Sequence, residues 1–397
     1  MRYHFECKKG WMNDPNGLVY FKGKYHAFFQ HYPFATHWGQ MHWGHAVSED
    51  LINWEELDIA LYPDKPYENS GGCFSGSAIV KDNRLYLFYT SVSEELGQTQ
   101  SMAYSDDGLN FIKYEDNPVI KESPLGDNKE FRDPKVFMYD QDKETPYRMV
   151  VGAGIHGIGK ILLFKSADLI KWDYVGEIIS DISLGPCAEC PDLFYLSTGD
   201  EYPEDMSSPF YDIYKELGMD FPKTNDEPQT KCGKWVLMFS SIKGKPSHVL
   251  FMTGDFDGKI FEPESDSFPV EIGPDFYAPQ TFEDKNKRRI LIGWMYNWQK
   301  RPNSGATHVG AFTIPRELSF DNEERLTMNA IREVSDKLKS ESVFAKYDRG
   351  RFEVSYKGTK FFDKAYKEEP SIRVLEDVGV VEIFINGGIE TVTAYVC

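Results

Sequence analysis

No run in this chain approaches the apolar length that a bilayer crossing requires, and Met1 to Lys9 contain no apolar segment of a secretory signal. This predicts a soluble, cytoplasmic protein; a chain trimmed of a signal would be secreted instead. Cysteine is sparse, with six residues at 7, 73, 187, 190, 232 and 397, too few for a disulfide-dense scaffold. Cys187 and Cys190 have the CxxC spacing of half a zinc site, but no second CxxC or paired-histidine motif follows to complete four ligands. Basic charge is short as well: 44 Lys and Arg face 63 Asp and Glu, a formal net charge of -19. Such a surface repels phosphate backbones and anionic headgroups, which argues against nucleic acid and membrane as partners. Helical periodicity is scarce too, which turns attention to strands.

Short alternating or apolar segments rich in Tyr, Phe, Val and Ile dominate, separated by polar turns. One unit recurs: a short strand, a charged turn, a strongly aromatic strand, then two more strands. The segments Ser48-Glu49-Asp50-Leu51-Ile52-Asn53-Trp54, Ser105-Asp106-Asp107-Gly108-Leu109-Asn110-Phe111 and Ser166-Ala167-Asp168-Leu169-Ile170-Lys171-Trp172 echo one another about 60 residues apart. Five such units predict an all-β, five-bladed β-propeller, whose edges are short and protected. In the fifth unit the strands are expected at 280–282, 289–294, 310–314 and 317–320. The fourth carries an acidic, Pro- and Ser-rich insertion over 197–231, expected to cover a neighbouring blade or contact a second subunit. After Phe320 a polar, helix-like stretch leads to further strands near 352–356, 371–375, 381–385 and 391–396, with Asn386-Gly387 as a hairpin turn. The organisation expected is a propeller over 1–321, a linker over 322–342 and a short β-sandwich-like appendage over 343–397.

The first strand of each propeller unit lines the central channel. The residues at or just before these strands are Asn13-Asp14-Pro15-Asn16-Gly17, Phe74-Ser75-Gly76-Ser77, Phe131-Arg132-Asp133-Pro134, Glu189-Cys190-Pro191-Asp192 and Phe276-Tyr277-Ala278-Pro279-Gln280. Each alone has an ordinary structural reading: a turn, a local Arg132–Asp133 ion pair, a loop carboxylate at Glu189, a structural acid at Asp192. Together they make an acidic pocket with aromatic walls. That suits a sugar, whose hydroxyls go to carboxylates and whose ring faces go to aromatics. Cleaving a glycosidic bond needs two carboxyls, one to protonate the leaving oxygen and one to attack or to activate water.

With Trp11 and Met12 ahead of Asn13, this motif set resembles glycoside hydrolase family 32, the family of invertases, sucrose-6-phosphate hydrolases, inulinases, levanases and related fructosyltransferases. The resemblance runs from about Tyr3 to Phe320. It implies Asp14 as nucleophile, Glu189 as acid/base, and Asp133 as the carboxylate that holds fructose hydroxyls and stabilises an oxocarbenium-like transition state. It also implies that Asn13, Gln30, Trp38, Phe74, Ser75, Arg132, Tyr277 and Trp294 line the fructose subsite or its rim. The activity implied is retaining, exo-acting β-fructofuranosidase chemistry on sucrose, sucrose 6-phosphate or short fructo-oligosaccharides, with no cofactor or metal. A fructosyltransferase is the alternative within enzymes, and a non-catalytic sugar-binding propeller the alternative outside them. Three departures stand out: Ala188 in place of an aromatic before the acid, the long fourth-unit insertion, and a C-terminal β region about half the family's size. Oligomeric state and phosphate preference are not set by the sequence. Like charge from Asp14 and Asp133 is expected to raise the Glu189 pKa, leaving Asp14 ionised.

Overall fold

The computed structural model describes residues 3–181, 184–198, 233–242, 248–356 and 358–395. The architecture is all-β. The insertion, apart from Ser197 and Thr198, lies outside the described residues, as do Cys232 and Cys397.

Strands follow one another as antiparallel meanders. The first sheet holds β1 (Gly10–Phe21), β2 (Lys24–Tyr32), β3 (His42–Ser48) and β4 (Trp54–Glu56). The second holds β5 (Gly72–Lys81), β6 (Arg84–Ser93), β7 (Gly97–Ser105) and β8 (Ile112–Lys113). The third holds β9 (Phe131–Met138), β10 (Tyr147–Ile155), β11 (Ile158–Ser166) and β12 (Asp173–Asp181). The fourth holds β13 (Ala188–Ser197), β14 (Gly233–Ser241), β15 (His248–Phe256) and β16 (Phe261–Pro263), with β17 (Phe268–Pro269) also on β15. The fifth holds β18 (Tyr277–Glu283), β19 (Arg289–Trp294), β21 (Arg316–Phe320) and β22 (Leu326–Ala330), while β20 (His308–Val309) crosses to pair with β1 in parallel.

The fifth unit departs from expectation. Residues 310–314 form no ladder; the isolated bridge Trp294↔Phe312 and bonds between Thr313 and Gly293 tie them to β19. The polar stretch after Phe320 is neither helix nor linker at its start: Leu326 and Met328 alternate inward and supply the fourth strand. A 3-10 turn at Arg332–Lys337 follows.

Apolar side chains fill the spaces between successive sheets. Phe28 and Trp43 meet Leu85 and Leu87; Phe88 and Met102 meet Phe131 and Met149; Val150 and Leu163 meet Leu193 and Leu237; Val236 and Met238 meet Leu291 and Leu318. Ile290, Ile292 and Phe312 of the fifth unit pack on Ala27 and Phe29 of the first sheet. These rows are buried on both faces, so their strands read as apolar runs rather than clean alternation.

The repeated Ser-x-Asp segments are one device used three times. Each Asp carboxylate accepts from two backbone N–H groups ahead: Ile52 and Asn53 on Asp50 at 2.9 and 2.8 Å, Leu109 and Asn110 on Asp107 at 2.8 and 2.8 Å, Ile170 and Lys171 on Asp168 at 2.8 and 2.9 Å. Asp257 does the same for Lys259 and Ile260, an echo the sequence hides.

Two smaller sheets follow: β23 (Ala345–Asp348), β24 (Arg351–Tyr356) and β25 (Thr359–Ala365), then β26 (Ile372–Asp377), β27 (Val380–Ile385) and β28 (Glu390–Tyr395). A buried polar network ties the last sheet to the fifth. Arg316 pairs with Glu271 at 2.9 Å and with Glu382, and His4 sits between Glu382 at 2.7 Å and Asp377 at 3.0 Å. Burial works against charge on His4, but the two carboxylates more than offset it and its pKa is raised.

Candidate active site

The first strands of the five sheets share a defect at one place. Their pairing with the second strand slips between Met12 and Pro15, Phe74 and Gly76, Val150 and Gly152 opposite Asp133, Glu189 and Asp192, and Tyr277 and Gln280. A bulge of this kind takes a residue out of the two-residue alternation and re-aims its side chain. Neighbouring positions serve the inter-sheet cores; the bulged ones are free to face a common pocket. Asp133, Cys190 and Ala278 adopt φ of 65°, 46° and 47°, left-handed backbone that non-glycine residues rarely hold and that collects at functional sites. The motif residues therefore lie inside the strands, not ahead of them.

The pocket encloses about 310 Å³ and is lined by Asn13, Asp14, Gln30, Trp38, Phe74, Ser75, Arg132, Asp133, Glu189 and Tyr277, together with Gln98, Glu130 and Trp298. All three proposed catalytic carboxylates and seven of the eight expected subsite residues thus converge. Trp294 is set back: it is fully buried, 4.9 Å from Trp298 between ring centroids, and Trp298, 44% exposed, is the ring at the wall. Both tryptophans sit in Trp294-Met295-Tyr296-Asn297-Trp298, so the sequence carried a signal for the second one that was assigned to the first. Gln98 and Glu130 belong to none of the five motifs, and no sequence signal points to them.

Each carboxyl has its own surroundings. Asp14 accepts from Ser75 Oγ at 2.7 Å and Asn13 Nδ2 at 3.0 Å, and Asn13 is itself oriented by Trp11 Nε1 at 2.7 Å. Trp11 stacks on Trp298 at 5.7 Å. Asp133 Oδ2 accepts the backbone N–H of Cys190 at 2.8 Å, and the Cys190 thiol lies 3.6 Å from Asp133 and 3.7 Å from Asp14. Glu189 is the ion-paired member: Arg132 Nη2 reaches its Oε1 at 2.7 Å and Tyr277 Oη donates to Oε2. Arg132 also bonds Glu130 and Gln98. The local Arg132–Asp133 pair is thus replaced by one spanning two sheets. Gly152 makes room for it: a Cβ there would lie 2.0 Å from the Ala188 carbonyl oxygen, the residue before the acid. Asp192 is structural: fully buried, it pairs with Lys135 at 3.0 Å and accepts from Thr281 N at 2.7 Å.

For Asp14, expected to stay ionised, the surroundings work the other way. Burial pushes the Asp14 carboxyl above its ordinary range, with Asn13 and Ser75 pulling it down and the Glu189 charge adding to the rise. Burial likewise pushes Asp133 up to about 7; Arg132 opposes that, and the charges of Glu189 and Asp14 reinforce it.

Among the described residues, no group of three or more His, Cys, Asp or Glu side chains is arranged to hold a metal ion. Nor is any helix long and apolar enough to cross a membrane.

The family model of the glycosyl hydrolases family 32 N-terminal domain matches residues 4–330, a span that contains every strand lining the pocket. Levanase from Bacillus subtilis (strain 168) is 38% identical over 358 residues, covering 84% of this chain and 47% of that protein. A sucrose-6-phosphate hydrolase from Escherichia coli is 36% identical over 336 residues, covering 82% of this chain and 63% of that protein. The chain therefore spans between about half and two thirds of the length of these curated relatives. Among solved structures, a Bombyx mori GH32 beta-fructofuranosidase in complex with sucrose is similar over 100% of this chain and 88% of that one, with a TM-score of 0.79 and 26% identity. A fructofuranosidase from Schwanniomyces occidentalis complexed with fructose gives 0.78 and 25%, over 100% of this chain and 91% of that one. Sequence motifs, bulged strands and family match fall on the same residues, and the chain belongs to glycosyl hydrolase family 32.

Proposed function

We propose that this chain hydrolyses terminal β-D-fructofuranosides, sucrose, sucrose 6-phosphate or short fructo-oligosaccharides, by double displacement. The observation that carries the reading is the contrast between two carboxyls in one pocket. Asp14 is held by neutral donors and has no cation against it, whereas Glu189 is fixed by Arg132 and Tyr277. A nucleophile needs fixed direction and no cation neutralising it; an acid/base needs to be held in place beside the leaving oxygen.

In the first step Asp14 attacks carbon 2 of the fructosyl unit. The bond to the glycosidic oxygen breaks, and that oxygen takes a proton from Glu189. In the second step Glu189 removes a proton from water, the water oxygen bonds to carbon 2, and the ester to Asp14 breaks. Asp133 accepts hydrogen bonds from fructose hydroxyls and faces the positive charge that develops on the ring. The named activities of the relatives and their sucrose and fructose complexes support the substrate class.

The same reading takes the five meander sheets as blades of one closed five-bladed propeller, with 343–397 as a shortened C-terminal β domain. The inter-sheet cores between consecutive sheets, including fifth against first, support it.

The test is Glu189→Ala. Sucrose turnover falls by about 10²–10⁴, the usual value of general acid help, while fructosyl fluoride, whose leaving group needs no proton, still fructosylates Asp14. Azide then yields fructosyl azide of retained configuration. Equal loss on both donors, or no azide product, removes Glu189 from the role. Oligosaccharide products at high sucrose from the unaltered chain would point to transfer in place of hydrolysis.

A further inference from the structure

Polar Gln98, Glu130 and Arg132 line the pocket together with Trp38, which meets Phe74 edge-on at 5.9 Å. Rings continue outward from Trp38 over the first sheet. His37, its neighbour in sequence, bonds the Trp38 carbonyl at 2.9 Å and lies 5.8 Å from Tyr32. Tyr32 is 5.5 Å from Phe34, Phe34 is 5.8 Å from His42, and His42 is 5.7 Å from Tyr62. Phe34 is 71% exposed and Tyr62 51%, and neither lines the pocket. The backbone is fitted to hold this line: a Cβ at Gly39 would come within 2.6 Å of the Tyr32 ring.

We propose that this aromatic track is a binding site for the part of a fructan chain remote from the scissile bond. The inference rests on the fructosidase reading and extends it from disaccharides to polymer. Three features favour a sugar chain as occupant. The track is continuous with the pocket that takes the terminal unit. Its rings touch one after another in a single line, Tyr32 to Phe34 to His42 to Tyr62, whereas a stable protein partner needs roughly 800 Å² per side. Its exposed members, His37, Phe34 and Tyr62, combine ring faces with an imidazole and a phenol hydroxyl, as furanose rings with their hydroxyls require, while His42, buried and bonded to the Gln40 carbonyl, supports them from beneath.

The test changes Phe34 and Tyr62 to Ala together; neither lines the pocket. On sucrose, kcat/KM stays within about twofold of the unaltered chain. On inulin or levan it falls on the order of tenfold, mostly through KM, the loss expected when ring contacts of ordinary strength are removed. Fructan binding to Asp14→Asn protein, with and without the two changes, reads the track independently of turnover. Lack of fructoside cleavage by the unaltered chain would sink the fructosidase reading alone. Equal losses on sucrose and fructan, unchanged fructan kinetics and binding, or conversion of a dimer to a monomer by the two changes would each overturn the track.

Discussion

Replacing Asp133 by Asn should stabilise the protein while crippling it, and the pH dependence of that trade separates electrostatics from packing. Burial lifts the Asp133 carboxyl from 3.8 to about 7. The raised value means that between these limits the unfolded chain has lost a proton that the folded chain retains. Stability therefore falls as pH rises through that window and is level outside it. At about 1.36 kcal/mol per unit, the cost is about 2 kcal/mol by pH 5 and about 4 kcal/mol by pH 7.5. An amide has the same shape and keeps an acceptor for the Cys190 N–H, yet has no charge to desolvate. With an unfolding entropy near 0.8 kcal/mol/K for a chain of this length, Asp133→Asn should melt about 2 °C higher than the unaltered protein at pH 5 and about 5 °C higher at pH 7.5. The activity should fall by about 10²–10³, as when a group facing transition-state charge is removed. The assay is paired thermal melting across pH 4 to 8, with sucrose hydrolysis on the same samples. A melting difference that does not change with pH, or one that favours the unaltered protein at pH 7.5, would refute the reasoning.

Two further outcomes follow from packing and from the C-terminal attachment. Gly152→Ala forces a methyl group against the Ala188 carbonyl, so it should cost about 1–3 kcal/mol in urea unfolding and lower kcat more than it raises KM, because Glu189 moves with Ala188; full activity would show that this contact does not set the acid. His4 is raised above 6.5 by Asp377 and Glu382, so its stabilisation is complete below about pH 6.5 and is lost as pH rises through the higher folded value; His4→Gln should abolish that alkaline decline in melting temperature, and a decline that persists would place its cause elsewhere.

Much of the site was legible because the motif residues are chemically conspicuous and fall at one point of each repeat. Asp14, Asp133 and Glu189 do meet in one pocket. The bulges were not legible, since a register slip exists only in relation to a partner strand. The motifs consequently read as residues at or just before the strands. Arg132 was placed in the pocket but given to its sequence neighbour; its reach to Glu189, 57 positions away, depends on how the third and fourth sheets pack. In the fifth unit, apolar 311–314 looked more strand-like than polar 326–330. What decided was pairing: Leu326, Met328 and Ala330 found β21, while 310–314 is tied to β19 by one bridge and scattered bonds. Trp294 and Trp298 differ only in which of them turns outward, and nothing local specifies that.

The pair that fixes Glu189 has a consequence in time. Its two holders, Arg132 and Tyr277, leave the ribosome about 145 residues apart, and Asp14 far earlier than either. At about 5–20 residues per second, the meander β1–β4 can form many seconds before Tyr277 emerges. During that interval the nascent chain holds well-formed ladders and no assembled chemistry. The onset of fructoside cleavage in a synchronised translation reaction would therefore act as a clock for the arrival of the fifth sheet, lagging behind any signal that reports strands alone.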